Sequence, residues 1–148
     1  VIFSKLVNHS FDQSSNYLTN ILQWGIIYMA KMITIIEFPA FMSQVGNIIT
    51  SNERDTLIDF LARNPHLGDE IPGTGGIRKS RWAGKGKGKK GGLRVIYYFY
   101  NDTAPIFLLT TYSKNVQEDL TSEQKTKLTS LVRTLKDECR TMRKIYHD

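Results

Sequence analysis

A chain of 148 residues, 41% hydrophobic and 23% charged, has the size and balance of one globular domain with a modest core. Its single cysteine, Cys139, excludes an internal disulfide and a multi-cysteine metal site, and His9, His66 and His147 are too scattered to make a ligand motif. The net charge of +6 looks mild until it is located: residues 71–101 contain no acid but hold Arg78, Lys79, Arg81, Lys85, Lys87, Lys89, Lys90 and Arg94, more than the whole surplus and a focused field for a polyanion.

Residues 1–20 mix polar and apolar side chains without a period. Residues 21–28 are apolar but interrupted by Gln23 and Gly25, well short of the roughly 20 residues a spanning helix needs. No basic leader or small-residue cleavage site frames them as a signal peptide. Met29 and Met32 stand just before the first convincing strand. The chain therefore divides into an N-terminal extension over 1–31, a domain over 32–143 and a tail over 144–148, with no membrane segment and a cytoplasmic setting. The alternative for the extension is a helix that packs on the domain or on a partner.

Ile33-Thr34-Ile35-Ile36-Glu37-Phe38 is β-branched and apolar, a strand. Pro39 opens a short helix with Phe41, Met42, Val45, Ile48 and Ile49 on its apolar side. Thr50-Ser51-Asn52-Glu53 is a capping box for a second helix, with Leu57, Ile58, Leu61 and Ala62 on one face and a stop at Asn64-Pro65. A turn-rich connection through Gly68, Pro72, Gly73, Gly75 and Gly76 leads to a charged strand over 77–82. After a glycine–lysine loop over 83–92 comes the strongest strand, Leu93-Arg94-Val95-Ile96-Tyr97-Tyr98-Phe99-Tyr100. The turn at Asn101-Asp102-Thr103-Ala104-Pro105 makes a hairpin with a strand over 106–112. A second capping box, Thr121-Ser122-Glu123-Gln124, starts a helix with Leu128, Leu131, Val132, Leu135, Cys139 and Met142 at helical spacing. The order is β-α-α-β-β-β-α, an α+β fold.

The glycine–lysine loop is not a Walker loop, because it lies between two strands and lacks the Gly-Lys-Ser/Thr end. Lys85, Lys87, Lys89 and Lys90 form an arm with little bulk between the charges, suited to a phosphate backbone, and Arg78 belongs to the same basic stretch. Such contacts supply affinity and salt dependence rather than sequence choice. Strand alternation puts Lys79 and Arg81 on one face, and sets Arg94 with Ile96 and Tyr98 apart from Leu93, Val95, Tyr97 and Phe99. The second set reads as the helix-covered face, leaving Arg94 on the open one; the competing role for Arg94 is an ion pair with a carboxylate. Tyr112 and Lys114, at the end of the last strand, can converge on the same face, although Tyr112 alone also suits a core or rim position. Together these groups fit RNA cleavage by the adjacent 2′-hydroxyl, in which a protein moves two protons and neutralises a phosphorane. Lysine and tyrosine would serve if crowded positive charge lowers their pKa values, and arginine suits the phosphorane oxygens. No metal or other cofactor is required.

Three stretches carry a family resemblance. Asn64-Pro65-His66-Leu67-Gly68-Asp69 with Gly73-Thr74-Gly75-Gly76-Ile77-Arg78-Lys79, the run over 85–99, and residues 108–120 around Tyr112-Ser113-Lys114-Asn115 are similar to HigB-type toxins of the RelE/ParE superfamily. The resemblance covers about residues 32–140. It implies a RelE-like fold, a small antiparallel-rich sheet with helices on one face, and metal-independent, ribosome-dependent cleavage of messenger RNA. It also implies a cognate antitoxin, often a helix-turn-helix DNA-binding protein. By position, Lys79, Arg81 and Arg94 fall where the family keeps catalytic or phosphate-clamping basic residues, and Tyr112 and Lys114 where some members keep functional groups. Several relatives have a second arginine where this chain has Asn115, so the resemblance does not assign the general acid. Two other readings share part of the pattern: a ParE-like gyrase poison and an RNA-binding module without turnover. The basic face favours the ribonuclease.

Overall fold

The β-branched run after residue 32 and the apolar runs on either side of Asn101 lay down the strands of one mixed sheet. The computed structural model describes residues 3–6, 33–83 and 92–147. In chain order the elements are β1 (Phe3–Leu6), β2 (Thr34–Glu37), α1 (Pro39–Val45), α2 (Ser51–Arg63), β3 (Asp69–Glu70), β4 (Ile77–Trp82), β5 (Leu93–Phe99), β6 (Ile106–Ser113) and α3 (Ser122–His147). Both capping boxes form. Glu53 N–H donates to Thr50 Oγ1 at 3.3 Å and Thr50 N–H to Glu53 Oε2 at 2.8 Å. Gln124 N–H donates to Thr121 Oγ1 at 3.2 Å and Thr121 N–H to Gln124 Oε1 at 2.9 Å. Each box satisfies amides that the first helical turn would otherwise leave open.

The strands lie in the order β1-β2-β6-β5-β4-β3, with β2 parallel to β6 and the other neighbours antiparallel. The α+β class and the expected succession of elements hold, with β1 and the two-residue β3 added at the edges. The placement of all helices on one face does not. Leu93, Val95, Tyr97 and Phe99 pack with Phe41, Val45, Leu57, Ile58 and Leu61 of α1 and α2. Ile96 and Tyr98, on the other face of β5, pack with Val132, Leu135 and Cys139 of α3. The reason is that β5 is apolar on both sides, and a strand without a polar face must be covered twice.

Within the N-terminal extension, Phe3–Leu6 pair with the outer edge of β2, so this stretch belongs to the sheet. Residues 7–32, including the apolar run over 21–28 and Met29 and Met32, lie outside the described residues. At the other end α3 runs through to His147, so most of the tail set off at 144 continues the helix. Arg143 and Lys144 there complement the helix dipole. Among the described residues no helix is long and apolar enough to cross a membrane.

Tyr97 fastens the sheet to the connection before β3. Its buried hydroxyl donates to the Pro65 carbonyl at 2.8 Å and accepts from the Gly68 amide at 2.8 Å. Burial pushes this hydroxyl above its ordinary pKa. Gly68 is required by the close approach, since a Cβ there would lie 2.9 Å from the Tyr97 ring. Tyr97→Phe strands a buried amide and is expected to cost about 1–3 kcal/mol, read from the urea midpoint at unchanged slope.

Candidate active site

The side chains of β4 alternate: Ile77 packs on the α3 side of the sheet and Trp82 against the α1/α2 core, which puts Lys79 and Arg81 on the α3 side. The strand register aligns Arg81 with Arg94 and Arg94 with Tyr112, so three polar side chains form a row across β4, β5 and β6. Lys79 lies two pairs further along, the next residue of β4 on the same face, opposite Ile96. Alternation alone would have sent Tyr112 the other way, because Ile106 and Leu108 face the α1/α2 core. Leu109 is an extra residue in β6, skipped between the pairs Tyr97–Leu108 and Ile96–Thr110. This β-bulge turns Tyr112 onto the face of Arg94.

The row sits where the cover of α3 runs out. Arg81 is exposed, Lys79 and Arg94 are half-buried, and Tyr112 is 5% exposed. Arg81 and Arg94 stand directly opposite each other, which like charges disfavour unless an anion joins them. Gly92 keeps the space between them open, for a Cβ there would lie 3.2 Å from Arg81 Nε and 3.3 Å from Arg94 Nη1. Arg94 Nη1 is buried without a hydrogen-bond partner among the described residues, and the buried Tyr112 hydroxyl faces Asp119 without a contact close enough for a full hydrogen bond. The backbone beneath is firm, with Thr111 Oγ1 donating to the Arg94 carbonyl at 2.8 Å.

The expectation that crowded cations lower the tyrosine pKa is corrected at Tyr112. Burial and the facing Asp119 carboxylate push its hydroxyl up, and Arg94 only partly opposes them. Removal from water and a nearby anion both disfavour phenolate, so the Tyr112 hydroxyl keeps its proton. Asp119 belongs to no basic or aromatic pattern in the sequence, yet it faces this row. It joins the site through Lys79, whose Nζ donates to Asp119 Oδ1 at 3.3 Å, and through Lys125 Nζ, 3.6 Å from Oδ2. The one signal in the sequence was its place two residues before the capping Thr121.

Lys114 is exposed in the turn after β6, and its amide donates to the Gly92 carbonyl at 3.2 Å, at the same end of the sheet as the row. Arg78 is not brought to the row. It points to the other face, where it donates to Gly68 O at 2.6 Å, His66 O at 3.2 Å and Glu70 Oε1 at 2.9 Å, bracing the β3–β4 connection. Lys85, Lys87, Lys89 and Lys90 lie outside the described residues. A separate open cleft of about 610 Å³, lined by Gly73, Gly75, Gly76, Tyr98, Tyr100 and Lys136, lies at the opposite end of β4 and β5.

The family model described as the RelE toxin of the RelE/RelB toxin–antitoxin system matches residues 69–145, just over half of the chain. The matched span runs from β3 into the last turns of α3 and contains the whole row together with Lys79 and Asp119.

Proposed function

The chain belongs to the RelE family of toxins of toxin–antitoxin systems, and from that premise we propose that it is a HigB-type, ribosome-dependent endoribonuclease that cuts messenger RNA without a metal. A toxin of this family has a cognate antitoxin as its partner; the further proposal is that this antitoxin carries a helix-turn-helix DNA-binding domain. The ribosome and its message are the other proposed partners, and the cytoplasm is where they would be met.

The observation that carries the reading is the pair of buried donors, Arg94 Nη1 and the Tyr112 hydroxyl, side by side in a cationic row and without a full hydrogen bond among the described residues. Leaving buried donors unpartnered is costly, and an arriving phosphate would satisfy both. In the proposed reaction the 2′-oxygen forms a bond to the adjacent phosphorus and the bond from phosphorus to the 5′-oxygen breaks. Arg94 and Arg81 neutralise the phosphorane oxygens. Tyr112, held neutral, gives its proton to the departing 5′-oxygen. The 2′-hydroxyl proton passes to a base at this end of the sheet, for which Lys114 is the candidate outside the Lys79–Asp119 ion pair. The lysines of 85–90 supply affinity for the RNA backbone.

Primer extension on a message under translation tests the reading. New 5′ ends are expected within the translated message when the toxin is added, and none when translation is blocked at initiation. Cutting of naked RNA at the same rate would remove the ribosome from the proposal. Absence of cuts in both arms, with gyrase inhibited instead, would replace it with the gyrase poison.

A further inference from the structure

We propose that Asp119 is a positioning residue of this site: its carboxylate, fixed at the entry to α3, holds the Lys79 ammonium at one place on the face of the cationic row before any RNA arrives. This rests on the ribonuclease reading above, in which the Lys79 ammonium would add to the charge that Arg81 and Arg94 offer the phosphorane, though the ion pair itself does not depend on it.

The carboxylate is anchored from its own side of the chain. Oδ1 accepts from the Leu120 amide at 2.8 Å. The backbone beneath it is tied as well: Gln117 Nε2 donates to the Asp119 carbonyl at 2.6 Å and to Gln124 Oε1 at 2.6 Å, joining the turn to the capping box of α3. Onto this fixed acceptor comes Lys79, from a strand 40 residues earlier. A lysine left to itself spreads its charge over many rotamers, and one fixed anion selects a single position. The Leu120 amide first, then Lys79 and Lys125, hold the carboxyl below its ordinary pKa, so the anion is present throughout the physiological range.

Affinity for RNA does not explain an acid at this place. The Asp119 side chain is 48% exposed beside a cationic row, where a carboxylate repels a polyanion. A site selected only for binding would do better without it. Positioning therefore has a signature of its own: removing the charge should leave binding equal or tighter and make cleavage slower. Loss of fold would lower both, and an idle surface pair would change neither.

The experiment compares the full chain with Asp119→Asn and Asp119→Glu in three readouts: cleavage of a translated message under single turnover, affinity for ribosomes, and the acylation rate of Lys79 by an amine-reactive ester, followed by mass spectrometry. Asp119→Asn is expected to melt with the parent, to bind ribosomes at least as tightly, to expose Lys79 to faster acylation, and to cut about tenfold or more slowly. Asp119→Glu keeps the charge and should recover most of the rate and of the Lys79 protection. Unchanged cleavage in Asp119→Asn, or a loss that tracks ribosome affinity or melting temperature, overturns the proposal. If the parent chain itself does not cut, the ribonuclease reading fails, while Lys79 acylation still decides whether Asp119 holds the ammonium.

Discussion

Arg94→Ala is expected to give a folded protein that still binds ribosomes but cuts at least about a hundredfold more slowly, the loss typical of removing one preorganised donor from a developing oxyanion. Stability should not fall. Among the described residues Arg94 Nη1 is buried without a partner, so truncation removes an unsatisfied donor rather than a bond. The backbone bond from Thr111 Oγ1 to the Arg94 carbonyl is untouched by the change. Arg94→Lys should rescue only part of the rate, since an ammonium cannot present two parallel N–H groups to a phosphorane. Growth arrest at full strength by a variant with parental melting behaviour would take Arg94 out of the mechanism.

The largest effect on stability is expected at Arg54. Glu37, at the end of β2, is 3% exposed, and its two carboxylate oxygens accept from Arg54 Nε at 2.9 Å and Nη2 at 2.6 Å. Arg54 reaches it from the first turn of α2 with a side chain 30% exposed, so the pair ties the helix layer to the β2 strand. Arg54→Ala leaves a buried carboxylate alone and should cost about 3 kcal/mol, the lower end for a broken buried pair because water reaches the arginine. Replacing both residues, Arg54→Met with Glu37→Leu, should recover most of that loss, because the cost lies in the orphaned charge and not in the missing attraction. Urea unfolding of the single and double variants decides it; a single variant within 0.5 kcal/mol of the parent on about the scale of surface changes would show that Glu37 is solvated by other means.

Local chemistry was enough for the sequence to determine much of this protein. Capping at Thr50 and Thr121, Pro39 at a helix start and the β-branched run before it act within a few residues, and each formed where the pattern put it. The two-residue period of β4 and β5 likewise placed Lys79 with Arg81 and separated Arg94 from Val95 without knowledge of any neighbour. The resemblance read from residues 64–120 led to the RelE family, whose model covers the same row. What the tertiary structure alone decided depends on pairing across the chain. A bulge is a mismatch between two strands, so the extra residue at Leu109, and with it the turn of Tyr112 toward Arg94, has no signature in β6 taken singly. The cover of the second face by α3 follows from β5 being apolar on both sides, a property visible in its residues but resolved only when a helix had to be found for each. Asp119 meets Lys79 only because that helix begins beside the end of the sheet, and there the cations acquire an anion and Tyr112 a raised pKa, effects of distance through space that sequence separation conceals.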